Sequence, residues 1–190
     1  MTDNTLITAR GITSEVRTGG ESAPSVPGGY HVTLLDYDRT PRKRVIDDAC
    51  DLPGVVAVLE SSPGSYHLWS TSIRPLDGTA LRMLSTKTDP THISVGYRRG
   101  RWTLRVGEKT RRNSATGDPE GQYKSPPEPV TLAVNESNTP VSEPHTRVLA
   151  EIFDRDTDRL LDLAAERSAG LYGDEKRVNE YLTMTDEQKP

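Results

Sequence analysis

The apolar residues of this chain are unevenly distributed, and their distribution limits where a core can form. Only 33% of the 190 residues are hydrophobic and 5% are aromatic. A chain of this length is expected to form one domain with tails, but with so few apolar residues it can bury a core only where they cluster. They cluster from Tyr30 onward. Residues 1–29 are rich in Thr, Ser and Gly, so we expect a flexible segment with at most a short strand near Leu6–Ala9.

From Tyr30, patterns typical of strands alternate with patterns typical of helices. Residues 30–38, 55–59 and 66–73 predict strands because they are rich in β-branched, aromatic or continuous apolar residues. Apolar residues at helical spacing predict helices after Thr40-Pro41 and over 76–85, and 91–95 with 101–106 predict a hairpin around Arg99-Gly100. This order predicts an α+β fold, a ferredoxin-like, mainly antiparallel sheet with two helices on one face.

The rest of the chain differs in proline content and in charge. Six prolines between Asn113 and Pro144 predict an irregular linker over residues 113–145. An amphipathic helix is predicted from Thr146 to Ser168, and a further helix from Asp174 to Leu182. Residues 1–112 carry 16 Lys and Arg against 12 Asp and Glu, whereas residues 113–190 carry 8 against 16. We therefore expect a basic module at 30–112 that folds without residues 113–190, and an acidic helical segment at 146–190.

Several classes of protein are excluded or disfavoured. No apolar run reaches the roughly 18–20 residues of a membrane helix, and the first ten residues lack a secretory signal, so we expect a cytoplasmic protein with no membrane partner. Cys50 is the only cysteine, which excludes an internal disulfide and a cysteine-based zinc site. The four histidines are isolated, which disfavours the His-x-His metal motif of rolling-circle nicking enzymes, and no basic helix pair indicates a helix-turn-helix regulator.

Two acids end the first predicted strand. Because side chains alternate along a strand, Asp36 and Asp38 project from one face. With a third carboxylate and a bound nucleotide they could hold Mg²⁺ or Mn²⁺, which prefer oxygen ligands. The alternative is that the Asp-x-Asp pair only serves turn and cap chemistry at the strand end.

Two further segments could bind phosphate. Small residues before Ser65 and His67 would let backbone amides approach a phosphate, with His67 as a neighbouring donor, although a lone histidine in a strand can be structural. The stretch from Lys87 to Arg112 holds eight basic residues against two acids. Arg105 and Lys109 could meet a triphosphate, and a second group could bind nucleic acid or form a solvated face: Arg98, Arg99 and Arg101.

In this order, the Asp-x-Asp pair, the Ser-x-His pair, and an acid followed by a basic strand resemble the archaeo-eukaryotic primase superfamily over about residues 30–110. The resemblance implies an RRM-like palm module in which Asp36, Asp38 and Asp89 are the catalytic, metal-binding acids. It also implies that Ser65, His67, Arg105 and Lys109 bind the incoming nucleotide. No zinc-binding insertion, helicase module or Walker loop accompanies these motifs, so we expect a minimal protein from the replication of a plasmid or virus.

Three functions remain open at this point. The first is metal-dependent nucleotidyl transfer by a primase or polymerase, with nucleotides and single-stranded DNA or RNA as partners. The second is a catalytically inactive module that binds single-stranded nucleic acid by charge and by stacking on its aromatic side chains, which are Tyr37, Tyr66, Trp69, Tyr97 and Trp102. The third is a replication-associated interaction protein whose C-terminal helix docks another replication protein.

Overall fold

The structure is a computed structural model that describes residues 5–16, 28–113, 116 and 118–168. These residues form eight strands and five helices: β1 (Thr5–Thr13), β2 (Glu15–Val16), β3 (Tyr30–Tyr37), α1 (Arg42–Cys50), β4 (Gly54–Ser62), β5 (Ser65–Pro75), α2 (Leu76–Leu84), α3 (Pro90–Arg99), β6 (Thr103–Asn113), β7 (Pro119–Lys124), β8 (Glu128–Asn135), α4 (Glu143–Ile152) and α5 (Thr157–Arg167). The chain is therefore α+β, as the sequence predicts. None of the helices in the described ranges is long and apolar enough to cross a membrane.

The larger sheet has five strands in the order β2-β3-β5-β4-β8, and every neighbouring pair is antiparallel. Because β5 is antiparallel to both β3 and β4, these two strands run in the same direction on either side of it. The helix α1 connects them, which makes a split βαβ unit. Its buried residues Val45 and Ala49 join the core of the sheet, and the Tyr37 hydroxyl donates to Oδ2 of Asp48 on the same helix at 2.8 Å.

A second sheet of three strands, in the order β1-β6-β7, was not predicted as a separate layer. The strand expected near Leu6–Ala9 extends over Thr5–Thr13 and pairs with β6. A buried histidine connects the two sheets. Ser14 Oγ accepts from the backbone N–H of Trp102 (3.0 Å) and donates to Nδ1 of His31 (2.9 Å), whose Nε2 donates to the Gly28 carbonyl (2.7 Å).

The predicted hairpin over 91–106 is wrong, because residues 90–99 form helix α3. Thr91, Ile93 and Val95 alternate as in a strand, but capping decides the local structure. Asp89 accepts from the backbone N–H of Thr91 at 2.8 Å, and Pro90 occupies the first helical position. The helix ends at Gly100, whose φ of 72° is the left-handed conformation that glycine adopts without strain.

The prediction of irregular structure over 113–145 is also wrong, because β7 and β8 lie in this segment. Both are edge strands of their sheets, where a missing N–H can face solvent. Pro119 begins β7, Pro129 lies in β8, and Pro126 and Pro127 lie between the two strands. Proline therefore limits these strands to the edges without excluding them from the sheets.

The predicted helix from Thr146 to Ser168 is two helices, α4 and α5. Asp154 has a positive φ of 50°, and Asp156 caps α5 by accepting from the Arg159 N–H at 2.7 Å. Leu149 of α4 and Ala164 of α5 are buried in the main core, and β8 is hydrogen-bonded to β4. Residues 113–145 are thus not a linker. Because they contribute strands to both sheets, residues 30–112 are not expected to fold without them. The helix predicted over 174–182 lies outside the described residues.

Candidate functional site

The candidate site is centred on two residues that face each other across neighbouring strands. Asp36 near the end of β3 pairs in register with His67 of β5. Directly opposed residues of an antiparallel pair project from the same face of the sheet. Oδ1 of Asp36 lies 3.7 Å from Nε2 of His67, a distance that allows electrostatic interaction but exceeds a normal hydrogen bond. The sequence placed these residues in separate motifs, and the strand register brings them together.

His67 is a neutral, incompletely satisfied side chain. It is 5% exposed, and burial and the positive charge of Arg105 lower the pKa of His67 to about 4, although a hydrogen bond to the Arg105 backbone acts in the opposite direction. Its Nδ1 is buried and has no hydrogen-bond partner within the described part of the chain. Buried polar atoms are usually paired, so an unpaired one calls for an explanation, and a functional role is one of them. The unpaired nitrogen of His67 is therefore Nδ1, whereas Nε2 is the nitrogen that lies near the Asp36 carboxylate.

Asp36 lies in a mixed electrostatic environment. Burial raises the pKa of the Asp36 carboxyl group, and the neighbouring charges of Asp38 and Asp89 raise it further, whereas His92 and Lys109 lower it. All four side chains are therefore close enough to influence Asp36. The like charges make the isolated carboxylate unfavourable, which is the situation that a bound cation relieves.

The structure brings Asp89 to the same strand end. The backbone N–H of Asp89 donates to the Asp36 carbonyl at 3.2 Å. Thr88 Oγ1 accepts from the Asp36 N–H at 3.1 Å and donates to the Asp36 carbonyl at 2.6 Å. Thr88, which is 52 residues away in the chain, and Asp89 thus hydrogen-bond to the backbone of β3 at Asp36.

The three predicted acids do not form a ready-made metal site. Among the described residues, no group of three His, Cys, Asp or Glu side chains is placed to hold a metal ion. Asp38 is exposed, and Asp89 uses Oδ1 to cap α3. The donor types still fit a hard cation, because Mg²⁺ is usually held by one or two carboxylates with water and substrate phosphates. Asp89 can keep its cap through Oδ1, since a carboxylate has a second oxygen.

Arg105 is held by the protein itself. The sequence predicts that Arg105 meets a triphosphate, but its side chain is only 9% exposed. The register between β1 and β6 shifts directly after Arg105, and the alternation of buried and exposed positions ends there. Its guanidinium group donates to the carbonyls of Ser61 and Gly107, both at 2.8 Å, and to that of Ser125.

The turn before Ser65 is also fixed by internal contacts. Gly64 has a φ of 75°, and its N–H donates to Oε1 of Glu60 at 3.2 Å, so this amide already has a partner. The Gly64 carbonyl accepts from the N–H of Thr40 at 3.1 Å, which ties the turn to the loop after Asp38. Ser65 is half-buried at the start of β5. The turn therefore helps to position the Asp38 loop.

The basic residues predicted to bind nucleic acid are Arg98, Arg99 and Arg101. All three are exposed, but they lie at the end of α3 and just after it, not in a hairpin. The proposed stacking residues behave differently. Four of them are at most 5% exposed, so the prediction that bases stack on them is wrong: Tyr37, Tyr66, Trp69 and Trp102. Only Tyr97 among the predicted stacking residues is well exposed, at 45%.

Sequence reasoning missed His92. Its Nε2 donates to the Leu34 carbonyl at 2.9 Å, and its charge affects the pKa of both Asp36 and His67. The Asp89-Pro90 start signal would have placed it in the first turn of a helix beside the third acid. The arrangement can therefore combine carboxylates for a cation, a neutral imidazole, and Lys109 for a phosphate.

Comparisons with family models, curated proteins and solved structures gave no match to this chain.

Proposed function

We propose that this chain transfers nucleotidyl groups in the manner of a primase or polymerase, using Mg²⁺ or Mn²⁺ held by Asp36, Asp38 and Asp89. The observation that carries the proposal is the in-register pair of Asp36 and His67, with Asp89 hydrogen-bonded to the backbone of Asp36. A DNA or RNA strand and nucleoside triphosphates are the proposed substrates, and replication of a plasmid or virus is the proposed setting.

The topology supports the same proposal. From β3 to α2 the elements follow the order βαββα, and β5 lies between β3 and β4. This split βαβ arrangement is typical of ferredoxin-like folds, so we assign residues 30–84 to an RRM-like module. Asp36 lies near the end of its first strand, and Asp38 directly follows that strand. The fourth strand of such a module has its counterpart in β2, which pairs with β3.

Each residue of the site has a role that follows from its contacts. The bound cation would activate the attacking hydroxyl and neutralise charge on the phosphates. Asp36 and Asp38 supply oxygen ligands, and Asp89 supplies a third oxygen while it caps α3. His67 is neutral at physiological pH, so it can donate one N–H to a phosphate without adding charge. Lys109 contacts the triphosphate, and Arg105 provides a fixed positive charge behind His67.

The proposal is tested by measuring incorporation of labelled nucleotides on single-stranded templates, with and without a primer, in Mg²⁺ and in Mn²⁺. We expect incorporation by the wild type and its loss in Asp36→Asn, because Asn keeps the shape but not the charge that a hard cation requires. Asp51→Asn is the matched control. Asp51 is exposed just before β4, which runs parallel to β3, so it lies at the opposite end of the sheet. Equal activity of both variants, or an inactive wild type, would contradict the proposal.

The second candidate is a catalytically inactive module that binds single-stranded nucleic acid. The exposed positions of Arg98, Arg99 and Arg101 favour it. In that case the wild type would bind oligonucleotides without incorporating nucleotides, and Asp36→Asn would bind them equally well. The third candidate, docking through the C-terminal helix, loses its main support, because Leu149, Leu160 and Ala164 of this segment are buried within the chain.

A further inference from the structure

A cavity of about 400 Å³ lies beside the candidate site, between α3 and the start of β6. We call it the α3–β6 cavity. Its walls include His92, Arg99, Arg101 and Trp102. A volume of this size lies within the range of small-ligand pockets, and it accommodates a phosphate group with part of a sugar.

The floor of this cavity is preformed. Gly96 of α3 lies directly against Trp102, and a Cβ atom at position 96 would come within 2.1 Å of the indole ring. The indole Nε1 donates to the Ile93 carbonyl at 3.2 Å, which fixes the ring. Because the Gly96 backbone packs closely against the fixed indole ring of Trp102, this wall of the cavity is already in place before a ligand binds.

The charge of the cavity is positive. Arg99 and Arg101 stand at its wall, and the lining contains no acidic residue within the described part of the chain. The nearest acidic partner in an ion pair is Glu15, with its carboxylate 3.8 Å from Arg101 and with side chains 51% and 58% exposed, respectively. An ion pair this exposed contributes little, so Arg101 can exchange it for a phosphate. The guanidinium group of arginine is well suited to phosphate because it can donate two parallel hydrogen bonds to phosphate oxygens.

His92 is a wall that the cavity shares with the candidate site. Its Nε2 is fixed on the Leu34 carbonyl of β3, two residues before Asp36, and its charge reaches Asp36 and His67. His92 therefore borders the cavity on one side and β3, two residues before Asp36, on the other. A single-stranded polynucleotide carries a phosphate at every nucleotide and therefore suits two neighbouring places that each favour a phosphate.

We propose that the α3–β6 cavity binds a backbone phosphate of a single-stranded polynucleotide, through Arg99 and Arg101, and so leads the strand to the site at Asp36 and His67. The inference rests on the proposed function and names the path of its nucleic-acid substrate. It also separates two neighbouring arginines. Arg98 is exposed on the same helix end but does not line the cavity.

The test is binding of a fluorescently labelled single-stranded oligothymidylate to the full chain, followed by anisotropy over a range of salt concentrations. We expect Arg99→Gln and Arg101→Gln to weaken binding severalfold each. Each lost phosphate contact should reduce the slope of log K against log salt by about 0.7, the value for single strands. Arg98→Gln removes the same charge from the adjacent position and should change affinity less, with an unaltered slope. Thermal unfolding of each variant verifies that it is folded.

The outcomes separate strand binding from simpler alternatives. Equal weakening by Arg98→Gln and Arg99→Gln would mean only diffuse attraction and would overturn the proposal. A second arm measures binding of inorganic phosphate to the chain without oligothymidylate by isothermal titration calorimetry at constant ionic strength. If Arg99→Gln and Arg101→Gln abolish binding of phosphate but leave oligothymidylate affinity unchanged, the cavity takes free phosphate groups and the strand assignment is wrong. Asp36→Asn should retain oligothymidylate binding, so failure of nucleotidyl transfer and failure of this subsite are distinguishable.

Discussion

His67 and His31 are both buried in the five-stranded sheet, and burial lowers the pKa of both side chains. Their hydrogen bonding differs. Both ring nitrogens of His31 have partners, Ser14 on one side and the Gly28 carbonyl on the other. His67 faces the Asp36 carboxylate at 3.7 Å, and its Nδ1 has no partner within the described residues.

This difference separates a structural histidine from a candidate functional one. A buried polar group that is fully paired contributes to stability, whereas an unpaired one costs free energy and persists where function needs it. His145 resembles His31, because its ring bonds to Ser142 and to the Thr13 carbonyl. The comparison predicts that His31 and His145 hold the fold and that His67 serves the site.

The largest expected effect is on activity. His67→Leu should lower the rate of nucleotide incorporation at least ~100-fold, the cost typical of removing one donor to a developing charge. Its free energy of unfolding should change by less than about 1 kcal/mol, because the substitution removes a polar atom that is already unpaired. Incorporation assays and urea unfolding of the same preparation measure both. Full activity in His67→Leu would break the comparison.

His31→Leu should show the opposite pattern. The substitution removes the acceptor of the Ser14 hydroxyl and the imidazole donor to the Gly28 carbonyl, so we expect the free energy of unfolding to fall by about 2 kcal/mol. The activity of the folded fraction should remain. Urea unfolding gives the stability, and incorporation per folded molecule gives the activity. If His31→Leu were as stable as the wild type, the hydrogen bonds of His31 would contribute nothing to the free energy of unfolding.

The fold around these histidines was partly predictable from sequence. From Tyr30 to Leu84, periodicity and the Gly and Pro breaks agree, and the predicted strands and helices correspond to β3, α1, β4, β5 and α2. Over 91–95 two signals conflicted. The alternation of Thr91, Ile93 and Val95 indicated a strand, but the Asp89-Pro90 cap and the close fit of Gly96 against Trp102 stabilise a helix.

Tertiary pairing determined what the sequence could not show. Proline lowers the local propensity for strands, and only the edge position of β8 explains why Pro129 is tolerated there. The same holds at the site. Motif order named Asp36, His67 and Asp89, but strand register and the backbone bond from Asp89 to Asp36 bring them together. Arg105 was predicted to meet a triphosphate, but its guanidinium group donates to three backbone carbonyls that only the tertiary structure brings together.

A smaller effect is expected from acid, and it should not distinguish the two histidines. The folded-state pKa of each lies below its ordinary value of 6.5, so the folded chain binds fewer protons than the unfolded chain as the pH falls. Stability is therefore present above about pH 6.5 and is lost below it, by up to ~1.4 kcal/mol per pH unit for each histidine. The raised pKa of Asp36 acts with the opposite sign, so variants are needed to isolate the histidines.

His31→Leu and His67→Leu should each flatten the dependence of the free energy of unfolding on pH between about pH 7 and pH 5. Urea unfolding at several pH values measures this slope. An unchanged slope in His67→Leu would mean that folding does not lower the pKa of His67, and the argument that burial keeps this imidazole neutral would then be wrong.

The smallest expected effect concerns the partner of His67. Asp36→Asn should raise the melting temperature in the absence of metal by roughly 2 °C, because it removes a charge that burial and the carboxylates of Asp38 and Asp89 disfavour. Adding Mn²⁺ should raise the melting temperature of the wild type and not that of Asp36→Asn, since a cation that binds only the folded chain stabilises it by mass action. Asp51→Asn should follow the wild type in both conditions. If Mn²⁺ shifts Asp36→Asn as much as the wild type, the ion binds elsewhere and Asp36 is not a ligand. If Asp36→Asn lowers the melting temperature without metal, the carboxylate serves the strand end as a structural group, and the contrast between His67 and His31 loses its functional meaning.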